Sequence, residues 1–338
     1  MAVTIKDVAS RAGVSLSTVS LVLNNKHNVS EETRLKVQQT IDELKYHPRR
    51  VARGLASKTT GNIGFIVTEN HFSRAEPFYT KVFLGTEFEA RQHDYYVLLT
   101  TVKKSFRRSQ HIPRFLLEKN VDGVILAGTI PTSLIDYIRE TDLPFVMVDY
   151  LPKSGPCSAV LIDNFEGAYR AVTHLIEKGH NRITYVGGDI EHPSFNERLN
   201  GYKKALLDSG IPMENELIMA SEPYTAFQDG YRAMCKFIEN GVTFTALFAG
   251  NDAMAQGCLQ CLREHEIEVP NEVAVVGFDD IESDLQIEPH ITTVRVDKEE
   301  LGAVSVRRLV EMIDNGQFIQ SKTVLPVELI IRRSTGDH

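Results

Sequence analysis

The 338-residue chain has no tryptophan and only four cysteines, Cys157, Cys235, Cys258 and Cys261. Without tryptophan, any aromatic contact to a ligand falls to phenylalanine or tyrosine. Four scattered cysteines are too few for a disulfide scaffold. No stretch of about 18 apolar residues occurs, so no membrane span is expected. The opening Met1-Ala2-Val3-Thr4-Ile5-Lys6-Asp7 carries no apolar signal core, and the expectation is a cytoplasmic protein. The eleven histidines form no HxxxH or HExxH pattern, and there is no glycine-rich phosphate loop and no Gly-x-Ser-x-Gly elbow. Cys258-Leu259-Gln260-Cys261 has redox or metal-like spacing, but it lies inside a helical pattern and no second pair completes a zinc site. Buried helix thiols are expected there. Nothing resembles an assembled catalytic constellation, so neither an enzyme nor a cofactor or metal is expected. Internal repeats and low-complexity segments are absent.

What is present is an uneven charge. The whole chain is −8. The first sixty residues hold ten Lys and Arg against five Asp and Glu, +5, which leaves −13 for the rest. A basic arm on an acidic body suits a polyanion partner, and equally a solvated basic helix face. Charge alone leaves both open.

The arm reads as three helices. Thr4 and Asp7 form a capped start, with the Thr4 hydroxyl as N-cap, and Ile5, Val8, Ala9 and Ala12 follow at helical spacing. Gly13 breaks that helix. Ser15 caps a second, short helix that runs to about Leu23 and is ended by Asn24-Asn25. Ser30 caps a third, with Val37, Ile41 and Leu44 on one face. Two short helices joined by a tight turn, with a third to bury them, is the helix-turn-helix arrangement, whose second helix enters the major groove.

The segments Thr4–Ala9, Ala12–Ser15, Ser17–Ser20, Leu23-Asn24, Val29-Ser30, Thr33-Arg34 and Tyr46-His47-Pro48 closely resemble the head of the LacI/GalR transcriptional regulators, and Val51-Ala52-Arg53-Gly54-Leu55-Ala56 resembles that family's hinge helix. The resemblance continues to about Arg333. It implies that Leu16, Ser17 and Leu21, with Asn28 nearby, face base edges. The family usually has a basic residue where Leu21 stands. Leucine cannot donate to guanine and is left with apolar contact, for instance to a thymine methyl; the other reading packs Leu16 and Leu21 inside the head. Ser15, Thr18, Ser30, Thr33, Arg49 and Arg50 are the expected phosphate contacts. Residues 48–58 are too few for a stable isolated helix; the resemblance implies that they fold on operator DNA in a dimer, with Leu55 as a minor-groove wedge.

From Asn62 onward, apolar runs alternate with helical stretches. The runs are Ile63–Val67, Tyr96–Thr100, Gly123–Ala127, Phe145–Val148, Ala159–Ile162, Ile183–Val186, Ala246–Ala249 and Val273–Gly277. They are continuous rather than alternating, as in parallel strands covered on both faces. The expected fold is a small all-α helix-turn-helix head (1–46) and hinge (47–60), then a two-lobed α/β body with parallel sheets, like a periplasmic binding protein (61–334). The resemblance adds repeated crossings between lobes, with the first lobe at 61–162 plus 292–322 and the second at 163–291 plus 323–334.

Polar residues follow several runs: Asp149, Asp163-Asn164, Asn251-Asp252 and Asp279-Asp280. Ligands in such folds sit beyond the carboxyl ends of strands. Carboxylates accept hydroxyls and arginine offers a planar fork of donors, which suits a polyhydroxylated ligand. The resemblance places the effector on Arg198 (Arg-x-x-Gly-Tyr), Asn251 (Ala-x-Asn-Asp) and Asp279 (Gly-Phe-Asp-Asp). Phe78 and Tyr79 line one side of it, with Tyr224 and Phe227 opposite. Asp252 and Asp280 read as helix caps. The expected protein is a dimeric repressor that binds a pseudo-palindromic operator and answers to a small-molecule effector, a sugar or sugar derivative. Rivals are control by a protein corepressor or a nucleobase, and a plain solute-binding protein. The chain's end soon after Arg332-Arg333-Ser334, without the extra helix of tetrameric relatives, favours a homodimer.

Overall fold

The computed structural model describes residues 3–23, 28–46, 59–69, 78–107, 111–153, 155–222 and 225–336. Arg49, Arg50, Leu55 and Tyr224 lie outside them. The chain divides into two compact units between Gly61 and Asn62.

The head holds α1 (Ile5–Ala12), α2 (Leu16–Leu23) and α3 (Glu31–Glu43). Thr4 is the N-cap of α1 and forms a capping box with Asp7, whose carboxylate accepts from the Thr4 hydroxyl and backbone N–H at 2.7 Å each. Gly13, at φ 66°, turns the chain out of α1 in the left-handed region that glycine adopts without penalty. Ser15 and Ser30 cap α2 and α3, accepting from the backbone N–H of Thr18 and Thr33 at 3.1 and 3.3 Å. Val8, Ala12, Val19, Val22, Val37 and Ile41 close a core between the three helices.

The body's first lobe runs β1 (Asn62–Thr68), α4 (Phe78–Gln92), β2 (Tyr96–Val102), α5 (Arg114–Leu117), β3 (Gly123–Ala127), α6 (Thr132–Glu140), β4 (Phe145–Val148) and β5 (Ser158–Ile162). The second runs α7 (Asn164–Glu177), β6 (Ile183–Gly188), α8 (Pro193–Asp208), β7 (Ile218–Glu222), α9 (Phe227–Glu239), β8 (Ala246–Ala249), α10 (Asp252–Glu264), β9 (Ala274–Asp279) and β10 (Thr292–Arg295). Then α11 (Lys298–Asn315) and β11 (Lys322–Leu325) return to the first lobe, and β12 (Glu328–Ile330) to the second. The two six-stranded sheets have the orders β11-β5-β4-β3-β1-β2 and β12-β10-β9-β8-β6-β7. Pairing is parallel except between β10 and β12.

The later crossings correct the expected lobe boundaries. Thr292–Arg295 pairs with β9 and belongs to the second lobe, so the chain returns to the first near residue 296. Lys322–Leu325 pairs with β5 in the first sheet, so the final crossing follows Leu325. These short strands are rich in Thr and charge and give no apolar run to read. A second correction concerns β2: it is a sheet edge, and Tyr96 is 66% exposed. A third concerns the cysteines. Cys235 on α9 and Cys261 on α10 are bridged, with Cα atoms 6.1 Å apart. A Cβ on Gly230 would sit 2.1 Å from the Met254 carbonyl oxygen, and one on Gly257 would sit 2.0 Å from that of Phe227. Only glycine permits so close an approach, and it brings the cysteines one turn further on face to face. Cys258 is a buried thiol that donates to the Gly230 carbonyl at 3.3 Å. Among the described residues, no helix is long and apolar enough to cross a membrane.

Candidate functional site

In the head, Ser15, Leu16 and Ser17 are exposed at the start of α2, and Leu16 keeps 44% of its surface open to solvent. Leu21 is half-buried and Asn28 exposed. Neither Leu16 nor Leu21 joins the head's apolar core. The Ser15 hydroxyl lies 2.7 Å from that of Ser17 and 2.9 Å from that of Thr18, and the Ser30 and Thr33 hydroxyls are 2.8 Å apart. These caps therefore hold two clusters of hydroxyls at helix N-termini, where backbone N–H groups and the helix dipole favour an anion such as phosphate.

In the body, one buried network joins the lobes at the carboxyl ends of their strands. Asp149 follows β4, in the first lobe, and is only 7% exposed. It accepts from the Tyr79 hydroxyl on α4 at 2.8 Å and from the Ser194 hydroxyl on α8, across the cleft, at 3.3 Å. Burial pushes its carboxyl above the ordinary range, opposed by Arg198 and by the two hydroxyls. Tyr79 is held well above its usual value, first by burial and then by the Asp149 charge, so it remains a donor.

Arg198, 4% exposed, is the centre of the second lobe's half. Its Nε donates to Asn164 Oδ1 at 2.8 Å, Nη1 to the Gly250 carbonyl at 2.5 Å and Nη2 to Asp279 Oδ1 at 3.4 Å. The guanidinium lies over the Phe278 ring, 3.7 Å from its centroid, with Phe195 at 5.4 Å. Three of its five N–H donors are thus committed to protein, and two remain for a ligand. Burial raises Asp279 to about 6 despite the nearby Arg198 and Lys298 charges.

Asn251 is the N-cap of α10. Its Oδ1 accepts from Met254 N–H at 2.9 Å, and its Nδ2 donates to the Thr225 carbonyl at 2.9 Å. Phe227 begins α9 and is 37% exposed, whereas Phe78 is buried, edge-on to Tyr79. Asp252 and Asp280 are not the caps they resemble. Asp252 is fully buried and accepts from the Thr293 hydroxyl at 2.6 Å. Burial and the adjoining Asp284 carboxyl, to which it is hydrogen-bonded, keep it protonated well above the normal range. Asp280 binds Arg332 and Arg295 at 2.5 and 2.6 Å.

Sequence reasoning missed Ser194, Phe195 and Phe278 in this network. The one signal for Phe195 and Ser194 was their place three and four residues before Arg198, on the same helix face. His192, the N-cap of α8, packs against Tyr150 and Phe195 with ring centroids 6.0 and 5.8 Å away, and burial lowers it to about 4, so it stays neutral.

Comparison with known proteins decides the family. Residues 4–49 match the model for bacterial regulatory proteins of the lacI family, and residues 172–335 match the periplasmic binding protein-like domain. Catabolite control protein A of Priestia megaterium is 33% identical over 337 residues, 99% of this chain and 100% of that one. The chain belongs to the LacI family. The transcriptional repressor PurR of Photobacterium profundum is also 33% identical, with 99% of both chains covered. Among solved structures, the lac repressor dimer bound to operator and the anti-inducer ONPF aligns over 99% of both chains, with TM-score 0.84 and 29% identity. A CelR–cellobiose complex aligns over 98% of this chain and 99% of that one, with TM-score 0.76 and 31% identity. The protein is a DNA-binding transcriptional regulator, and the relatives it matches are regulators rather than enzymes.

Proposed function

We propose that this LacI-family regulator is a cytoplasmic repressor that binds a pseudo-palindromic operator as a homodimer and answers to a small polyhydroxylated effector, a sugar or sugar derivative, held between the lobes. The observation that carries the reading is the buried network of Tyr79, Asp149 and Ser194 beside Asn164, Arg198 and Asp279. It spans both lobes and gathers two carboxyls and a guanidinium with N–H donors beyond those bonded to protein, the chemistry a polyhydroxylated ligand would use. The structural neighbours solved with cellobiose and with ribose support a sugar. Apolar side chains exposed on α4 and at the β2 edge, Leu84, Phe88, Tyr96 and Leu99, support a second copy as partner.

In the head, Leu16, Ser17, Leu21 and Asn28 meet base edges, and Ser15, Thr18, Ser30 and Thr33 meet phosphates. Closing the lobes around the effector changes how the two heads of the dimer are spaced, so operator and effector must alter each other's affinity by the same factor.

The test is a thermal-shift panel of sugars, sugar phosphates and nucleobases on the full chain. A ligand at a hundredfold over its Kd adds about 2.7 kcal/mol to stability. The shift is expected from a sugar and lost in Arg198→Ala; a shift that survives Arg198→Ala refutes the site. Operators selected from random DNA by the dimer give the half-site. A guanine opposite Leu21, with Leu21→Ala neutral, refutes the apolar reading of that position.

A further inference from the structure

The turn after β9 carries Asp279, and its backbone is unusual. Asp279 and Asp280 have φ of 112° and 53°, both in the region that disfavours a side chain. Packing alone does not hold it there. A cavity of about 300 Å³ lies against Asp280, Ile281 and Glu282 on one side. The turn's side chains and amides have partners in the second lobe, and its backbone carbonyls are met by Lys298, the first residue of α11, only 6% exposed. Its ammonium donates to the carbonyl of Asp279, and to those of Asp280 and Val296 at 3.4 Å each. The two left-handed residues direct their carbonyl oxygens to one cation, and that convergence offsets the cost of burying the ammonium.

Lys298 also stands where the lobes meet. The first turn of α11 is seated on the first lobe: a Cβ on Gly85 would lie 1.9 Å from the Glu299 carbonyl oxygen, so the two backbones touch there. The Lys298 ammonium lies 5.9 Å from the centroid of the Phe78 ring, also in the first lobe. From that anchored base it reaches into the second lobe's turn.

We propose that Lys298 is a positioning residue that holds the Asp279-Asp280 turn in its left-handed form and ties it to the first lobe, so that the Asp279 carboxyl faces Arg198 only when the lobes are correctly set. The proposal rests on the effector reading of Asp279, but its structural core is tested without any effector.

The experiment is hydrogen–deuterium exchange on the full chain, comparing wild type with Lys298→Met and Lys298→Arg. The amides of Asp280 and Ile281 are bonded to Thr293, Asp252 and Asp284. They should exchange at least tenfold faster in Lys298→Met and return toward wild type in Lys298→Arg, with the amides of β6 and β8 unchanged. Carboxyl NMR separates charge from packing by its sign, because loosened packing would lower a carboxyl that burial raises, whereas loss of the ammonium raises it. The Asp279 titration, which faces Arg198, Lys298, Asp149 and Asp284, shifts upward in Lys298→Met and is restored by arginine. Unchanged exchange at Asp280 and Ile281 overturns the proposal. Should Lys298→Met not fold, wild-type nitrogen NMR decides: a slowly exchanging Lys298 ammonium supports the cradle, and a bulk-like one overturns it. An effector response that survives Arg198→Ala would instead overturn the site reading and leave the exchange result standing.

Discussion

Asp279→Asn should reveal how much stability the cleft gives up for its chemistry. Burial lifts this carboxyl from an ordinary 3.8 to about 6 in the native protein. The native state therefore binds the proton more tightly than the unfolded chain does. The Asp279 contribution to stability is fully present below about pH 4 and is lost as the pH rises through about 6; above that it is constant. At about 1.4 kcal/mol for each pH unit between the two values, the ionised carboxylate costs the fold about 3 kcal/mol at pH 7. Asparagine resembles the protonated acid and does not titrate. The stability gap between Asp279→Asn and wild type should thus widen in the variant's favour by about 3 kcal/mol between pH 4 and pH 7, while its effector response disappears. Taking the difference between the two proteins cancels the titrating groups that do not interact with Asp279. With no tryptophan, the assay is urea denaturation followed by tyrosine near-UV circular dichroism. Tyr46 is the one tyrosine among residues 1–61, so the signal reports the body. A gap that stays constant to within about 0.5 kcal/mol, small beside the shift calculated from the pKa difference, would refute the reasoning.

Other outcomes follow from the same contacts. Gly85→Ala drives a Cβ to 1.9 Å from the Glu299 carbonyl oxygen, a backbone atom that cannot rotate away; it should destabilise the body by about 3 kcal/mol or more, read as a fall in Tm. Leu55→Ala should weaken operator binding in a gel-shift titration while the body's melting temperature stays put; unchanged affinity would remove the wedge role. Operator affinity should fall steeply with salt, with a log–log slope of about −0.9 for each phosphate neutralised. Peptide mapping of unreduced protein should recover a linked Cys235–Cys261 pair and two free thiols, Cys157 and Cys258; a free Cys235 would contradict the bridge.

The sequence exposed what short-range physics encodes. The caps at Ser15 and Ser30 and the αL residue Gly13 are local, and their helices stand where the pattern put them. Buried parallel strands such as Gly123–Ala127 and Ala246–Ala249 carry enough apolar residues to be read without a partner. Edge and crossing strands do not. Thr292–Arg295 is fixed by its hydrogen bonds to β9, and its two threonines serve buried acceptors: Thr293 donates to Asp252. The same limit applies to the site. Arg198, Asn251 and Asp279 stand in motifs, so their positions were legible. The Asn251 cap on Met254 is local, but that Asp252 is hydrogen-bonded to Asp284 and that Asp280 pairs with Arg295 and Arg332 depend on partners 15 to 52 residues away. The Cys235–Cys261 pairing was hidden for a related reason, since the contact is set by glycines on both helices and not by the spacing of the cysteines.

Three of the body's positive-φ residues stand at the carboxyl ends of strands that form the cleft, whereas Asp94, Lys119, Asp142 and Glu266 follow helices. Asp149, Asp279 and Asp280 all have positive φ, and each follows or ends a strand of a central sheet. An aspartate tolerates the left-handed region better than a β-branched or bulky residue does, and at these positions the turn aims a carboxyl off the strand end rather than along it. The conformational cost is offset locally by bonds from both lobes: Tyr79 and Ser194 to Asp149, Arg198 and Lys298 to the Asp279 turn, Arg295 and Arg332 to Asp280. Because Ser194 and Lys298 each bond to a turn of the opposite lobe, opening the cleft must weaken the support of the turns and the binding geometry together. An effector that replaces the lost bonds favours one lobe arrangement by its differential contacts, which is all that coupling to the operator requires.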